Sequence, residues 1–286
     1  MIVWLASYPK SGNTWVRSFI SSLIFTNNGD ADFNAMQKIS QYPRRSHFTS
    51  LLENLEDLNS LSENWIPSQK LINLDKKIRF FKTHHVMCNF GKNSFTNYEN
   101  TFGVIQIVRD PRNVITSLLN FFNKTNYDEA KQFICDEKKI IGINLAKPNQ
   151  EKLKDNNIIT LISSWKTHYN SWKNFKKNYL LIKYENLINE PNREFGKIRH
   201  YLETNLDLHF SDEKFNYAME ANSFLNLKKI ENTKGFSENS IMTSSKKVNF
   251  FNLGPENDYN NFLDKKTKAS IENVFFNEMK ELNYIN

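Results

Sequence analysis

The sequence predicts an α/β fold in which a parallel sheet is flanked by helices, and three observations support this. An apolar run over 2–7 is followed by a turn and by apolar residues at helical spacing over 14–25, which indicates strand, loop and helix. Two further apolar runs, at 78–83 and 102–108, have the length of buried strands. Over 158–184 a helical pattern leads into another strand. Strands that alternate with helices favour a parallel sheet covered on both faces.

Local start and stop signals define the remaining elements. Asp110 as N-cap and Pro111 at the first helical position predict a helix after the strand at 102–108. Ser211 and Ser223 are each expected to cap a helix. In chain order, the predicted elements are a strand at 2–7, a helix at 14–25, strands at 78–83 and 102–108, a helix from 111 to about 122, a helix at 158–176, a strand at 179–184, and helices after Pro191, at 212–221, after Ser223 and at 264–282.

Three segments lack a clear period. Residues 27–76 are polar and irregular, with short helices expected around 50–62, and residues 137–156 have the Lys, Asn and Asp content of a mobile loop. Residues 232–249 are polar and are expected to be flexible. We find no internal repeat and no linker, so the sequence predicts a single domain over 1–286.

Composition and charge narrow the class of partner. Hydrophobic residues make up 39% of the chain and aromatic residues 14%, which indicates a globular protein. The net charge of +7 favours an anionic partner, although a solvated lysine-rich surface would give the same charge. The lysines are spread along the chain and no basic arm or zinc-ligand spacing occurs, so a small anion is favoured over a nucleic acid.

The cysteines and the apolar runs bear on the expected location. Cys88 and Cys135 are too few for a disulfide framework, and we expect both to be reduced. No apolar stretch of about 20 residues occurs, so no membrane span is predicted, and the first residues lack the basic region and cleavage site of a signal peptide. The protein is expected in the cytoplasm.

Residues 8–12 form the turn of the first strand–loop–helix unit and are called the phosphate loop below. A loop that ends at a helix N-terminus offers backbone N–H groups and the positive end of the helix dipole, a P-loop-like arrangement that suits an anion. Gly12 permits a close approach, Lys10 adds a charge, and Ser11 and Thr14 add hydroxyl donors. By itself, an ordinary surface turn explains the fragment equally well. It is not a Walker A motif, because Lys10 precedes the only glycine, and this counts against an ATPase or GTPase.

A second anion-binding candidate follows the strand at 102–108. Arg109 lies where this strand gives way to a helix, and Ser117 lies eight residues later on that helix. Ligands of parallel sheets bind at the carboxyl ends of the strands, where a guanidinium and a hydroxyl could hold a phosphate by charge-assisted hydrogen bonds. An ion pair of Arg109 with Asp110 or with another carboxylate is the alternative.

Between these two motifs lies the run Phe81-Lys82-Thr83-His84, at the end of a strand. A lone histidine after an apolar strand is most often a core or surface residue. Because successive strand residues point to opposite faces, Lys82 and His84 share one face and the adjacent His85 points away from it.

In their order along the chain and in their residues, these motifs resemble those of the 3′-phosphoadenosine 5′-phosphosulfate (PAPS)-dependent sulfotransferases. Residues 8–15 read YPKSGNTW, close to the family's YPKSGTTW, with Asn13 replacing the usual threonine. The resemblance also covers the VIQIVRDPRNVITSL run at 104–118, the Lys-Thr-His run, and the segments around Tyr184 and Phe224. It extends from residue 2 to about 284 and implies the sulfotransferase fold.

The resemblance also implies roles for individual residues. It assigns the 5′-phosphosulfate to the loop and the helix start that follows, and the 3′-phosphate to Arg109 and Ser117. His84 would remove the proton of the acceptor, and Lys82 would contact the transferring sulfuryl group. The residues implied to contact the 5′-phosphosulfate or the purine are Lys10, Ser11, Gly12, Asn13, Thr14, Trp15, Tyr184 and Phe224, with core packing as the alternative for the aromatic residues.

The last motif departs from the family pattern. Residues 250–254 read FFNLG where the family has Phe-x-Arg-Lys-Gly, so Gly254 is retained while Asn252 and Leu253 replace two cations that bind the 3′-phosphate. Either another cation compensates or the 3′-phosphate is held less tightly. The candidate cations are Lys228, Lys246 and Lys247.

The resulting expectation is an enzyme that transfers a sulfuryl group from PAPS to a hydroxyl or amine and releases adenosine 3′,5′-bisphosphate (PAP). His84, Lys10 and Lys82 would be the catalytic residues, and no metal is expected. The acceptor would be a small molecule, carbohydrate or lipid, which the sequence does not identify further. The alternatives are a P-loop-type nucleotide or small-molecule kinase, and a non-catalytic module that binds PAP or RNA.

Overall fold

A computed structural model describes residues 1–53, 55–121, 126–142, 158–236 and 249–286. The strands are β1 Ile2–Ser7, β2 Ser40–Gln41, β3 Arg79–Thr83, β4 Asn89–Phe90, β5 Asn93–Ser94, β6 Thr101–Val108, β7 Ile140–Ile141, β8 Thr160–Leu161 and β9 Tyr179–Lys183. The α-helices are α1 Asn13–Phe25, α2 Phe33–Met36, α3 Leu58–Glu63, α4 Trp65–Ile72, α5 Pro111–Phe121, α6 Tyr127–Cys135, α7 Trp165–Lys173, α8 Tyr184–Asn189, α9 Pro191–Leu206, α10 Asp212–Ala221, α11 Phe224–Lys234, α12 Lys265–Val274 and α13 Phe276–Glu281.

The main sheet has five strands in the order β2-β3-β1-β6-β9, with β1 at its centre. The pairings of β1 with β3, of β1 with β6 and of β2 with β3 are parallel. Helices alternate with these strands along the chain, and α7 contacts β1. The predicted α/β class with a parallel sheet is therefore confirmed.

The chain divides into two compact units, each built from three stretches of sequence. The first unit comprises Met1–Tyr8, Ile39–Ile107 and Asp136–Leu181, and the second comprises Pro9–Lys38, Val108–Cys135 and Ile182–Asn286. In the first unit a core of buried aromatic and aliphatic side chains surrounds Trp4, whose Nε1 donates to the hydroxyl of Thr101 at 2.9 Å. In the second unit, Met36, Leu227, Phe236 and Phe251 form a buried apolar cluster.

Several predicted helix starts are confirmed by their caps. Asp110 Oδ1 accepts from the backbone N–H of Arg112 at 2.9 Å, and α5 begins at Pro111. The hydroxyl of Ser211 accepts from the N–H of Lys214 at the start of α10. At α11 the helix begins as expected, but Ser223 makes no side-chain capping bond.

Other boundaries differ from the prediction. The helix expected over 158–176 is shorter, because Thr160–Leu161 is extended and pairs with Ile140–Ile141. Isoleucine and threonine are β-branched and favour strands, and Ser164 then caps α7. The helix expected over 264–282 is divided in two at Phe275, which is fully buried and has φ −112°.

The structure describes only part of the three segments that the sequence predicts to be irregular. Over 27–76 the structure contains α2, β2, α3 and α4. Of these, only α3 overlaps the short helices expected around 50–62, and the other three were not predicted. Most of the predicted loops at 137–156 and 232–249 lies outside the described residues. In the parts of the chain that the structure describes, no helix combines the length and the apolar character needed to cross a membrane.

Candidate functional site

The phosphate loop joins β1 to α1, and two of its residues have left-handed backbones. Lys10 has φ 67° and Gly12 has φ 95°, which is a backbone region that residues other than glycine seldom occupy. Gly12 is also the N-cap of α1, so the first turn of that helix has no side-chain cap, and it contains no acidic residue. A helix N-terminus of this kind favours an anion through its N–H groups and its dipole.

The ring of Tyr184 lies against Gly12. A β-carbon at position 12 would come within 2.4 Å of Tyr184 Cδ2, which is closer than atoms in contact approach. Only glycine fits here, both because of the ring and because of the positive φ. Tyr184 is the first residue of α8 rather than the last residue of a strand, and its contact with the phosphate loop was not predicted from the sequence.

Arg109 joins the same group of contacts. It follows β6 directly and is 5% exposed. Its Nη1 donates to the carbonyl oxygen of Lys10 at 3.1 Å, and its guanidinium lies 4.1 Å from the centre of the Tyr184 ring. The structure therefore brings Lys10, Gly12, Arg109 and Tyr184 together in the second unit.

Asp110 is bound by Arg112, two residues further along. The Nε and Nη2 atoms of Arg112 donate to the Asp110 carboxylate at 2.6–3.1 Å, and both side chains are buried. From the sequence, Asp110 was a possible ion-pair partner of Arg109. In the structure, the Asp110 carboxylate forms its ion pair with Arg112.

Around Arg112 lies a buried polar network that reaches the end of the chain. Arg112 also donates to the Glu272 carboxylate and to the carbonyl oxygen of Tyr284. The Tyr284 hydroxyl donates to Glu185 at 2.9 Å, and the other Glu185 oxygen accepts from the N–H of Asp110. Burial, and then the nearby Asp110 charge, raises the pKa of Glu185. No sequence signal identifies this network, because its members are joined only by the fold.

Aromatic residues surround the loop in the second unit. Trp15 Nε1 donates to the carbonyl oxygen of Asn222 at 2.7 Å, and its ring meets Tyr184 edge to face at 5.8 Å. Trp15 and Phe224 both pack against the apolar cluster of the second unit. The Phe224 ring also lies against Gly254, where a β-carbon would come within 2.2 Å of it. Trp15 and Phe224, two of the three aromatic residues that the resemblance assigns to the purine, thus pack against one cluster.

The other predicted binding residues are placed as follows. Ser11, Asn13 and Thr14 are buried, and the Ser11 hydroxyl has no hydrogen-bond partner among the described residues. Ser117 is half-buried on α5. Lys246 and Lys247 lie outside the described residues.

The predicted catalytic pair lies in the first unit, at the end of β3. Lys82 is paired with Leu5 of β1 and is 6% exposed, while His84 is partly exposed just beyond the strand. His84 Nδ1 lies 2.7 Å from the carbonyl oxygen of Ser7 and 3.3 Å from its hydroxyl. Since a carbonyl oxygen only accepts, Nδ1 carries the hydrogen, and in a neutral imidazole the lone pair is then on Nε2.

His85 lies in the core of the first unit. Its ring stacks on Phe95 at 4.0 Å and meets Trp65 edge to face at 4.7 Å. Burial lowers the pKa of His85 to about 3, so the imidazole is neutral at physiological pH. The structure therefore gives His84 and His85 different surroundings, but β3 ends at Thr83, so both histidines lie beyond the strand whose alternation was expected to separate them.

His168 on α7 is a neighbour of His84 that the sequence analysis missed. Its buried ring hydrogen-bonds the backbone of His84 and meets Tyr8 edge to face at 5.7 Å. Burial, with the neighbouring imidazoles, lowers the pKa of His168 to about 3. A single histidine in a helix carries no sequence signal for such a contact. Among the described residues, no group of three or more His, Cys, Asp or Glu side chains could hold a metal ion.

Known proteins match this chain over nearly its full length. A family model described as "Sulfotransferase domain" matches residues 2–283. Sulfotransferase 2A1 of Macaca fascicularis is 23% identical over 292 residues, covering 98% of this chain and 85% of that protein.

Two solved structures resemble the fold. Mouse sulfotransferase SULT7A1 complexed with PAP has a TM-score of 0.58 at 17% identity, covering 97% of this chain and 84% of that chain. A retinol dehydratase in complex with androsterone and the inactive cofactor PAP has a TM-score of 0.56 at 15% identity, covering 98% and 80% of the two chains. At these identities the structural likeness shows the fold alone.

Proposed function

Because the chain belongs to the sulfotransferase domain family, we propose that it transfers the sulfuryl group of PAPS to the hydroxyl or amine of a small-molecule acceptor and releases PAP. The observation that carries the proposal is the geometry of the phosphate loop. The first turn of α1 has no side-chain cap, so its N–H groups can bind an anion. The Tyr184 ring packs on Gly12, and the Arg109 guanidinium donates to the Lys10 carbonyl oxygen, and these two contacts fix the loop. PAP is bound in both structural relatives described above. The predicted single domain and the cytoplasmic location remain part of this proposal.

The second unit supplies the proposed nucleotide contacts. Lys10, Ser11 and the N–H groups at the start of α1 would bind the 5′-phosphosulfate, where Lys10 neutralises charge that develops on the leaving phosphate. Arg109 and Ser117 would bind the 3′-phosphate. The remaining residues proposed to contact the nucleotide are Gly12, Asn13, Thr14, Trp15, Tyr184, Phe224 and Gly254.

The first unit supplies the proposed base. His84 donates a hydrogen bond from Nδ1 to the Ser7 carbonyl oxygen, which fixes the orientation of the ring and leaves the lone pair on Nε2. Nε2 would take the acceptor proton as the acceptor oxygen or nitrogen bonds to sulfur and the sulfur–oxygen bond to the leaving phosphate breaks. Lys82 would stabilise the sulfuryl oxygens during this exchange. The Ser7 contact thus makes His84 a better candidate than the buried His85.

The acceptor is proposed only as a class. The retinol dehydratase structure contains androsterone, a hydroxysteroid, and this supports a small lipid or other hydroxyl compound here. Carbohydrates and amines belong to the same proposed class because a general base can activate either an oxygen or a nitrogen nucleophile.

Calorimetry followed by turnover tests the proposal. We expect PAP to bind more tightly than AMP, and ³⁵S-labelled PAPS to label at least one compound in a panel of sugars, phenols, hydroxysteroids and amines. Failure to bind PAP contradicts the proposal. PAP binding without turnover on any acceptor favours the binding module, and phosphate transfer from ATP favours the kinase.

A further inference from the structure

One face of α11 holds the segment 249–254. Phe224, Lys228 and Glu231 are spaced at i, i+4 and i+7, which places them on the same side of a helix. The Phe224 ring lies against Gly254, and Lys228 Nζ donates to the carbonyl oxygen of Asn252 at 3.1 Å. The two carboxylate oxygens of Glu231 accept the N–H groups of Phe250 and Phe251 at 2.7 and 2.9 Å. The conformation of the segment is therefore set by this helix.

The segment has no positive charge of its own. Asn249 to Gly254 contains no lysine or arginine. The backbone N–H groups of Phe250 and Phe251 already donate to Glu231, whose side chain is buried, 3% exposed. An anion bound beside this segment therefore needs a cation from another part of the chain.

Lys228 lies at one end of a series of contacts that leads to the phosphate loop. Its ammonium donates to the backbone carbonyl oxygen of Asn252. Phe250, two residues before Asn252, packs against the Lys10 ammonium, with 4.6 Å between Lys10 Nζ and the ring centre. The carbonyl oxygen of Lys10 in turn accepts from Arg109. An ammonium has three donors, so Lys228 can keep its bond to Asn252 and still donate to a phosphate.

We propose that Lys228 supplies the positive charge for the nucleotide's 3′-phosphate that Asn252 and Leu253 do not supply. The inference rests on the proposed function and adds a binding residue to it. It makes the 3′-phosphate contact depend on α11, with the segment 249–254 serving to position the lysine.

The test compares two ligands and three variants. Lys228→Ala removes the charge and the bond to Asn252, Lys228→Gln removes the charge but keeps an N–H donor, and Lys229→Ala is the control at the next, exposed position. Each purified protein is titrated with PAP and with AMP, which lacks the 3′-phosphate, after its thermal unfolding midpoint is measured. We expect both Lys228 variants to bind PAP about ten- to a hundredfold more weakly and AMP nearly unchanged. Lys229→Ala should bind both ligands normally.

Three outcomes overturn the inference. Unchanged PAP affinity in both Lys228 variants means that the 3′-phosphate is bound elsewhere. An equal loss for PAP and AMP means that Lys228 only shapes the segment. If the unaltered protein does not bind PAP at all, the proposed function itself fails, and this result is distinguishable because it does not depend on any Lys228 variant.

Discussion

Replacing Gly12 by alanine tests the geometry of the phosphate loop most directly. An added β-carbon would lie 2.4 Å from Tyr184 Cδ2 and 3.0 Å from Cε2. The residue also has φ 95°, which costs a side-chain-bearing residue about 1–2 kcal/mol. Relieving the contact with the ring costs about 1–3 kcal/mol more, as for other overpacked sites. We therefore expect Gly12→Ala to lower the free energy of unfolding by about 2–5 kcal/mol.

A second substitution separates the two costs. Tyr184→Ala removes the ring atoms that the new β-carbon would meet, but it does not remove the backbone cost of the positive φ at position 12. In a double-mutant cycle followed by urea unfolding, the two substitutions should be coupled by about 1–3 kcal/mol, and the backbone cost should remain. Gly196→Ala is the control, because Gly196 lies inside α9 with no atom within 4 Å of an added β-carbon. Alanine favours helices, so this control should be neutral or slightly stabilising.

The same proteins should also differ in PAP affinity. Displacing the Tyr184 ring or the loop shifts the N–H groups at the start of α1, so calorimetry should show weaker binding for Gly12→Ala and normal binding for Gly196→Ala. A Gly12→Ala protein with the stability and the PAP affinity of the unaltered chain would refute the close approach on which this argument rests.

Three further predictions concern the histidines and Arg109. His84→Ala should lower kcat about 10²–10⁴-fold without changing PAP affinity, because the proposed general base is lost while the proposed nucleotide contacts lie elsewhere; steady-state kinetics with full activity would contradict this. Arg109→Ala should weaken PAP about ten- to a hundredfold and AMP to a smaller extent, since Arg109 also binds the Lys10 carbonyl; calorimetry that finds AMP weakened more than PAP would contradict it. Burial lowers the pKa of His85 and of His168 from 6.5 to about 3, so below about pH 6.5 the unfolded chain binds more protons and stability falls as the pH falls, by up to about 1.4 kcal/mol per pH unit for each imidazole. His85→Phe removes one of these imidazoles, so the free energy of unfolding measured with urea should depend less steeply on pH between about pH 6.5 and 5. An unchanged pH dependence would contradict the burial of His85.

Local signals predicted the parts of the fold that depend on neighbouring residues. The run into Asp110-Pro111 located a strand, a cap and a helix, because an N-cap and its helix are adjacent in the chain. The strand–loop–helix at the start of the chain was predicted for the same reason. The boundary near Ser164 was missed, because a short apolar run is compatible with either helix or strand until its partner at Ile140–Ile141 is known.

The sequence named candidate site residues but not the contacts between them. Motif order selected Lys10, Arg109 and Tyr184, but nothing local indicates that the Tyr184 ring covers Gly12 or that Arg109 binds a backbone oxygen of the loop. The backbone contact of His168 with His84 joins residues more than eighty positions apart. Such contacts arise from the fold, and a single sequence does not record them.

The division of the chain has a consequence for the order in which it is synthesised. The last residue of the first unit is Leu181, so all of that unit is synthesised before the stretch Ile182–Asn286 of the second unit. The second unit is completed later, because Arg112 and Glu185 find their partner only once Tyr284 has been synthesised. Arg112 and Tyr284 are separated by 172 positions, and until they meet, the acidic groups of Asp110 and Glu185 lack part of the polar network that surrounds them in the folded protein. The residues of the second unit that we propose to bind the nucleotide therefore reach their folded surroundings only after Tyr284 has been synthesised, and a nascent chain that stalls earlier holds the histidine region without them.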